Sequence, residues 1–334
     1  MKKYIILLLL FPILVLQLQG KNKKTDIQNN KIRVTVNGRK ISSDGIAYID
    51  DSSKMPRLIA EYGDKSDEKI IWKLRVIFKR RNREDIPAYT KVIEGNNILD
   101  IRQTAKEEYA GGVALLEAED INGNKSSFTF HIRAKNPSEK EVTDYIGNDP
   151  WYAKAIAKHE SGQQNNQHYC QFNEVGTLGP NYITNIKYTP NRSSDKIGWG
   201  LFQITLPKPT HSELWNWKRN IDKGKSIIKD KNKLGQSYFN AVKRTYPDKY
   251  EDPPNYTPPE CKTTVSAIDA ATIQLYNGAS VLEALQNQYG KSSTYVSCWK
   301  FYPDNPSGKR WKFVPNRNEY VKRIIKTYES IREQ

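Results

Sequence analysis

The chain has 334 residues, a comfortable length for two ordinary domains, and 37% of it is apolar, enough to bury real cores and to exclude disorder throughout. Its net charge of +16, about +14 without Lys2 and Lys3, admits an anionic polymer, an acidic membrane surface or nucleic acid as partner, and does not choose among them. Twenty Tyr and seven Trp suit a carbohydrate binder, because flat rings stack on sugar faces, and they equally suit a β-rich core.

The N-terminus reads as an export signal. Lys2 and Lys3 precede an apolar run from Tyr4 to Leu16 that is too short to span a bilayer. Residues 1–20 are the expected signal peptide and 21–30 an exposed segment. The stretch Gln17-Leu18-Gln19-Gly20 departs from the small-x-small cleavage pattern, which leaves an uncleaved anchor as the alternative. Export predicts the periplasm, the cell envelope or the medium. It argues against nucleic acid and for anionic peptidoglycan, with the membrane met only through the signal segment. It also places Cys170, Cys261 and Cys298 in an oxidising compartment, where one disulfide and one leftover thiol are expected. Their spacing does not choose the pair and resembles no metal site, so neither a metal nor a cofactor is expected.

Residues 31–135 have a period of two. Ile32, Val34 and Val36 alternate with polar residues before Asn37-Gly38, a hairpin signal, and Trp72, Leu74, Val76 and Phe78 alternate likewise. Gly111-Gly112 opens a strand to Asp120, Asn122-Gly123 turns it, and Phe128, Phe130 and Ile132 alternate on the return. The prediction is an all-β sandwich of immunoglobulin-like architecture, without the Cys-Trp-Cys pattern of antibody domains. The basic cluster Lys79-Arg80-Arg81-Asn82-Arg83, followed by Glu84 and Asp85, reads as a solvated loop. Nothing in this region looks catalytic; it reads as a spacer or as a docking module for other envelope proteins. Residues 136–144, opening on Asn136-Pro137-Ser138, are the predicted linker.

From residue 145 to 334 the period changes. Asp149-Pro150 predicts a helix start, Trp151, Ala155, Ile156 and His159 supply one face, and Glu160 falls in the last turn before Gly162. A helix C-terminus and partial burial both disfavour a carboxylate, so both raise the pKa, as a general acid near neutral pH requires. On position alone Glu160 is an exposed helix-end residue. Further on, Gly198 and Gly200 bracket Trp199 and let the backbone approach a ligand, while Phe202 and Ile204 pack inward and Gln203 faces a cleft. Gln274-Leu275-Tyr276-Asn277-Gly278 completes a three-part pattern.

With Glu160-Ser161-Gly162, Gly200-Leu201-Phe202-Gln203-Ile204 and Tyr276-Asn277 together, the region from about 145 to the end resembles the soluble-lytic-transglycosylase-type catalytic domain of the lysozyme-like superfamily. The resemblance implies a mainly α fold in which Glu160 is the catalytic acid. It implies that Ser161 orients Glu160 or touches substrate, that Gly200, Leu201, Phe202 and Gln203 line the cleft, and that Gln203 contacts the glycan. The Tyr276 hydroxyl would lie near the glutamate, with Asn277 as substrate contact or simple helix cap. Leu214-Trp215, Asn220-Ile221 and Tyr320-Val321 are similar to structural positions of the family. Two stretches, Gly162 to Gly198 and Pro247 to Pro259, look inserted; Cys170 and Cys261 fall in or beside them, which favours their pairing, with Cys298 as the alternative partner.

Most glycosidases use two carboxylates. Asp195, Asp222 and Asp269 are available, but no motif assigns any of them that task; Asp195 is the best placed. One acid implies, through the resemblance, a peptidoglycan lytic transglycosylase that leaves a 1,6-anhydroMurNAc end. A hydrolytic muramidase of the goose-type-lysozyme kind and a non-catalytic wall-binding scaffold are the alternatives.

Overall fold

A computed structural model describes residues 31–49, 56–63, 69–78, 86–101, 111–162, 169–173, 179–180, 198–278, 299–305, 310–315 and 319–333. The expected signal segment, the basic cluster at 79–83, Asp195 and Cys298 lie outside them.

The first part carries nine strands: β1 (Ile32–Val36), β2 (Arg39–Ile41), β3 (Ile46–Tyr48), β4 (Leu58–Tyr62), β5 (Ile70–Phe78), β6 (Ile86–Gly95), β7 (Ile98–Asp100), β8 (Gly112–Asp120) and β9 (Lys125–Arg133). They form a four-stranded sheet ordered β2-β1-β4-β7 and a five-stranded sheet ordered β3-β9-β8-β5-β6, in which β3 runs parallel to β9. Asn37 and Gly38 adopt φ of 49° and 81°, the two left-handed residues a tight hairpin needs, and so set the register Val36 to Arg39. In β5 the period of two separates buried Trp72, Leu74 and Val76 from exposed Ile71, Lys73 and Arg75. Asp120 closes the β8–β9 turn by accepting from the backbone N–H groups of Asn122 and Asn124, each at 2.9 Å.

The segment expected to be a linker is irregular only at its start. Helix α1 (Glu139–Ile146) begins behind a capping box in which Ser138 and Glu141 bond each other's backbone N–H groups. Then come α2 (Ala153–Ser161), α3 (His211–Trp215), α4 (Trp217–Thr245), α5 (Ala267–Tyr276) and α6 (Tyr320–Arg332). Helix α2 starts later than Asp149-Pro150 suggested: Tyr152 is its N-cap and makes no side-chain cap bond. Helix α5 is buried from Ala270 through Leu275, and Ile273 joins Ile156, Phe202, Ile221 and Ile324 in one core. Among the described residues no helix is long and apolar enough to cross a membrane.

The expected architecture, an all-β immunoglobulin-like sandwich ahead of a mainly α lysozyme-like domain, is corrected by this structure. The described residues have mixed α/β content, six helices with several sheets, and strand pairing recurs well beyond the nine strands. Strand β10 (Phe172–Asn173) pairs with β11 (Gly179–Pro180), and β12 (Trp299–Phe301) pairs with β13 (Trp311–Phe313). Nor do the cores divide at residue 136, because the one built by the nine strands continues into Phe172, Trp199, Leu214 and Trp215. Gly111 makes that contact possible: a Cβ there would stand 2.2 Å from the Trp215 ring. Phe172 stacks on the same indole with centroids 6.2 Å apart. Local periodicity carries no trace of such a contact.

The disulfide expected between Cys170 and Cys261 is not formed. The Cys170 thiol donates to Phe172 O at 2.7 Å and accepts from Asn136 Nδ2 at 3.1 Å, while Cys261 Sγ lies 3.8 Å from Lys322 O. Each thiol is engaged by its own surroundings.

Candidate active site

Glu160 sits in the last turn of α2, which ends as the Gly162 N–H bonds Lys158 O at 2.9 Å. Its side chain is only partly exposed, and burial pushes the carboxyl pKa above the ordinary carboxylate range. The Tyr320 hydroxyl opposes that shift by donating to Glu160 Oε1 at 2.5 Å. The sequence placed Tyr320 only among structural positions, yet it is the direct partner of the acid.

Burial, and then the charge of Glu160, push both the Tyr276 and the Tyr320 phenols well above the normal tyrosine range, so both remain protonated donors. Tyr276, whose hydroxyl was expected near the glutamate, feels the Glu160 charge and donates its hydrogen to Phe202 O at 2.6 Å. The His159 imidazole meets Tyr320 edge-on with centroids 5.5 Å apart. Burial, assisted by Arg323, lowers the His159 pKa to about 4, so at neutral pH it is an uncharged neighbour that does not draw the proton off Glu160.

The second motif is a tight turn closed by the bridge between Trp199 and Ile204, whose backbone groups exchange bonds of 3.1 and 3.0 Å. Gly200 has φ of 74° and Gln203 φ of 45°; for glutamine that conformation is strained. A Cβ on Gly200 would fall 2.4 Å from the Asn220 amide, and one on Gly198 would fall 2.7 Å from Gln203. These glycines admit protein side chains, where the sequence suggested a ligand. Asn220 is fully buried in α4 and holds the turn by donating to Trp199 O at 3.2 Å and accepting from Phe202 N at 3.3 Å. Phe202 and Ile204 are buried, as expected, and Leu201, expected to line the cleft, is buried as well.

Gln203 donates through Nε2 to Gly200 O at 2.8 Å, which fixes the amide orientation. Its Oε1 is buried and accepts no hydrogen bond among the described residues. An acceptor left in that state costs about 1–3 kcal/mol. Tyr276 bonds the carbonyl of the preceding residue, Phe202, and so ties this amide to the phenol that senses Glu160.

Other expected site residues are placed differently. Ser161 is buried and donates back to Ala157 O at 2.6 Å, a bond within the helix and not one to the acid. Asn277 is exposed and ends α5, its N–H bonding Gln274 O at 3.2 Å, which is the capping alternative. Asp222 accepts from the Tyr145 hydroxyl at 3.1 Å and Asp269 from the Trp151 indole at 3.2 Å, neither of them beside Glu160. No group of three or more His, Cys, Asp or Glu arranged to hold a metal occurs among the described residues.

No family model, curated protein or solved structure matches the chain.

Proposed function

We propose that the chain is an exported peptidoglycan lytic transglycosylase that cleaves the β-1,4 bond between MurNAc and GlcNAc. The observation that carries this reading is one carboxyl whose pKa burial raises and whose oxygen a phenol holds at 2.5 Å. Such an acid keeps its proton closer to neutral pH than an ordinary glutamate does, as a general acid requires.

Protonated Glu160 gives its proton to the glycosidic oxygen as the bond from C1 to that oxygen breaks. The substrate's N-acetyl oxygen stabilises the positive charge at C1. The carboxylate so formed takes the proton of the MurNAc C6 hydroxyl, whose oxygen bonds C1 and closes the 1,6-anhydro ring. Glu160 ends protonated, and water is neither consumed nor released. Tyr320 steadies the carboxylate phase through its hydrogen bond, and the turn that carries Gln203 supplies the contact to the glycan.

Transglycosylation needs the one carboxyl alone, whereas hydrolysis by a pair needs a second within several ångströms. Of the aspartates considered for that task, Asp222 and Asp269 are bonded to Tyr145 and Trp151, and Asp195 lies outside the described residues. Mass spectrometry of muropeptides released from purified sacculi tests the proposal. Anhydro ends, one water lighter than reducing ends, are expected from the wild type and not from Glu160→Gln; reducing ends would establish a muramidase, unchanged release by the variant would exclude Glu160 as the acid, and no release by the wild type would leave a wall-binding scaffold.

A further inference from the structure

A recess lies at the N-terminal end of α5, whose other end carries Tyr276. It has a volume of about 330 Å³, near the lower bound for small-molecule pockets, and is lined by Gln236 and Asn240 of α4, by Tyr250, Asp252 and Asn255, and by Ser266 at the start of α5. Helix α5 separates it from Tyr276 by roughly 13–15 Å, at 1.5 Å per residue. It is therefore not an extension of the turn that presents Gln203.

Its lining specifies a class of ligand. Three exposed carboxamides offer both donors and acceptors beside the apolar Phe239 and Ile268, a combination that matches hydroxyls and N-acetyl groups on a sugar ring. The Tyr250 ring gives a flat wall and is held in place by Phe301 and Trp311, with centroids 6.4 and 6.2 Å away. Asp252 disfavours an anion, and its charge together with burial pushes the Tyr250 phenol above the usual tyrosine range, so the wall stays neutral. Lys243 stands over the same ring at 5.5 Å but does not line the recess, so Asp252 is the charge a ligand there would meet.

We infer that this recess is a second saccharide site, selective for uncharged N-acetylglucosamine units over the carboxylate-bearing muramyl residue. The identity of the sugar rests on the proposed function; the existence of the site does not. Bound glycan here, while another segment occupies the Glu160 cleft, would keep the enzyme on a polymer between cleavages.

Chitotriose titrated into the full-length Glu160→Gln protein, followed by NMR of side-chain amides, tests the site. The Gln236, Asn240 and Asn255 amide signals are expected to move on one binding curve. The Asn240→Ala/Asp252→Ala protein, altered at two exposed positions, should bind at this site at least tenfold more weakly while the Gln203 amide keeps its response. Stationary amides at the recess up to millimolar sugar, or an unaltered curve in the double variant, would overturn the inference. A wild-type protein that releases no muropeptides, yet shows the amide shifts, would overturn the proposed activity and leave this site standing.

Discussion

Tyr320 donates its phenolic hydrogen to Glu160 Oε1 at 2.5 Å, joining the first residue of α6 to the last turn of α2 across 160 positions of the chain. A hydrogen bond to the ionised form favours that form, so this contact lowers the pKa that burial raises. Tyr320→Phe should therefore raise the Glu160 pKa further. The limb of the pH–rate profile that reports Glu160 is expected to move to higher pH, and kcat at neutral pH to fall about tenfold, the size of one charged hydrogen bond. A merely structural tyrosine would lower the rate without moving the limb.

Glu160→Gln should abolish most of the glycan cleavage, by about 10²–10⁴-fold, while making the protein more stable at neutral pH. The folded-state pKa of Glu160 lies above its unfolded value, because burial penalises the charge. Its contribution to stability is therefore fully present below the ordinary carboxylate pKa and is lost as pH rises through the folded value. The neutral amide escapes that loss and can still accept from Tyr320. Melting curves at a series of pH values check this: the variant's advantage should grow from acid to neutral pH, and parallel curves would contradict it.

Gly200→Ala combines a left-handed φ of 74° with a Cβ 2.4 Å from the buried Asn220 amide. Strain and overpacking each cost about 1–3 kcal/mol. Urea unfolding is expected to show a loss of about 2–6 kcal/mol, the two together, and the displaced Gln203 should raise KM for glycan as well as lower stability. A variant with wild-type midpoint and KM would mean that the turn adapts freely.

Gly111→Val tests the contact between the nine-stranded part and Trp215. The added side chain would occupy the space of the indole, with Cβ alone 2.2 Å from it. A loss of about 1–3 kcal/mol is expected. Because Trp215 lies in the same core as Trp199, the loss should be accompanied by a change in tryptophan emission. Unaltered emission and melting would show that the two parts of the chain do not depend on this packing.

Peptide mapping without reductant should recover no cross-link between Cys170 and Cys261, since each thiol is already engaged by a backbone carbonyl. A recovered cross-link would refute that arrangement.

Much of the strand register was legible because it depends on neighbours. Asn37-Gly38 dictated a hairpin through its own φ values, and the alternation in β5 dictated which side of the sheet Trp72 occupies. The capping box at Ser138 and Glu141 was equally local, though a charged, proline-containing stretch masked it as linker. The class of the whole was not legible. Short aromatic pairs such as Trp299–Phe301 with Trp311–Phe313 lack the length that makes periodicity visible, and a core shared between Gly111 and Trp215 has no local signature.

At the site, the sequence by itself determined that Glu160 closes a helix and that a glycine-bracketed turn carries Gln203. Tertiary structure decided what these groups touch. It gave Tyr320 the bond to Glu160, sent the Tyr276 hydroxyl to Phe202 O, turned Ser161 back onto its own helix, and left Gln203 Oε1 buried without a donor among the described residues. The physical reason is range: helix ends and turns follow from torsions and neighbours a few residues away, whereas burial and hydrogen bonds that set a pKa come from segments the chain brings together only on folding.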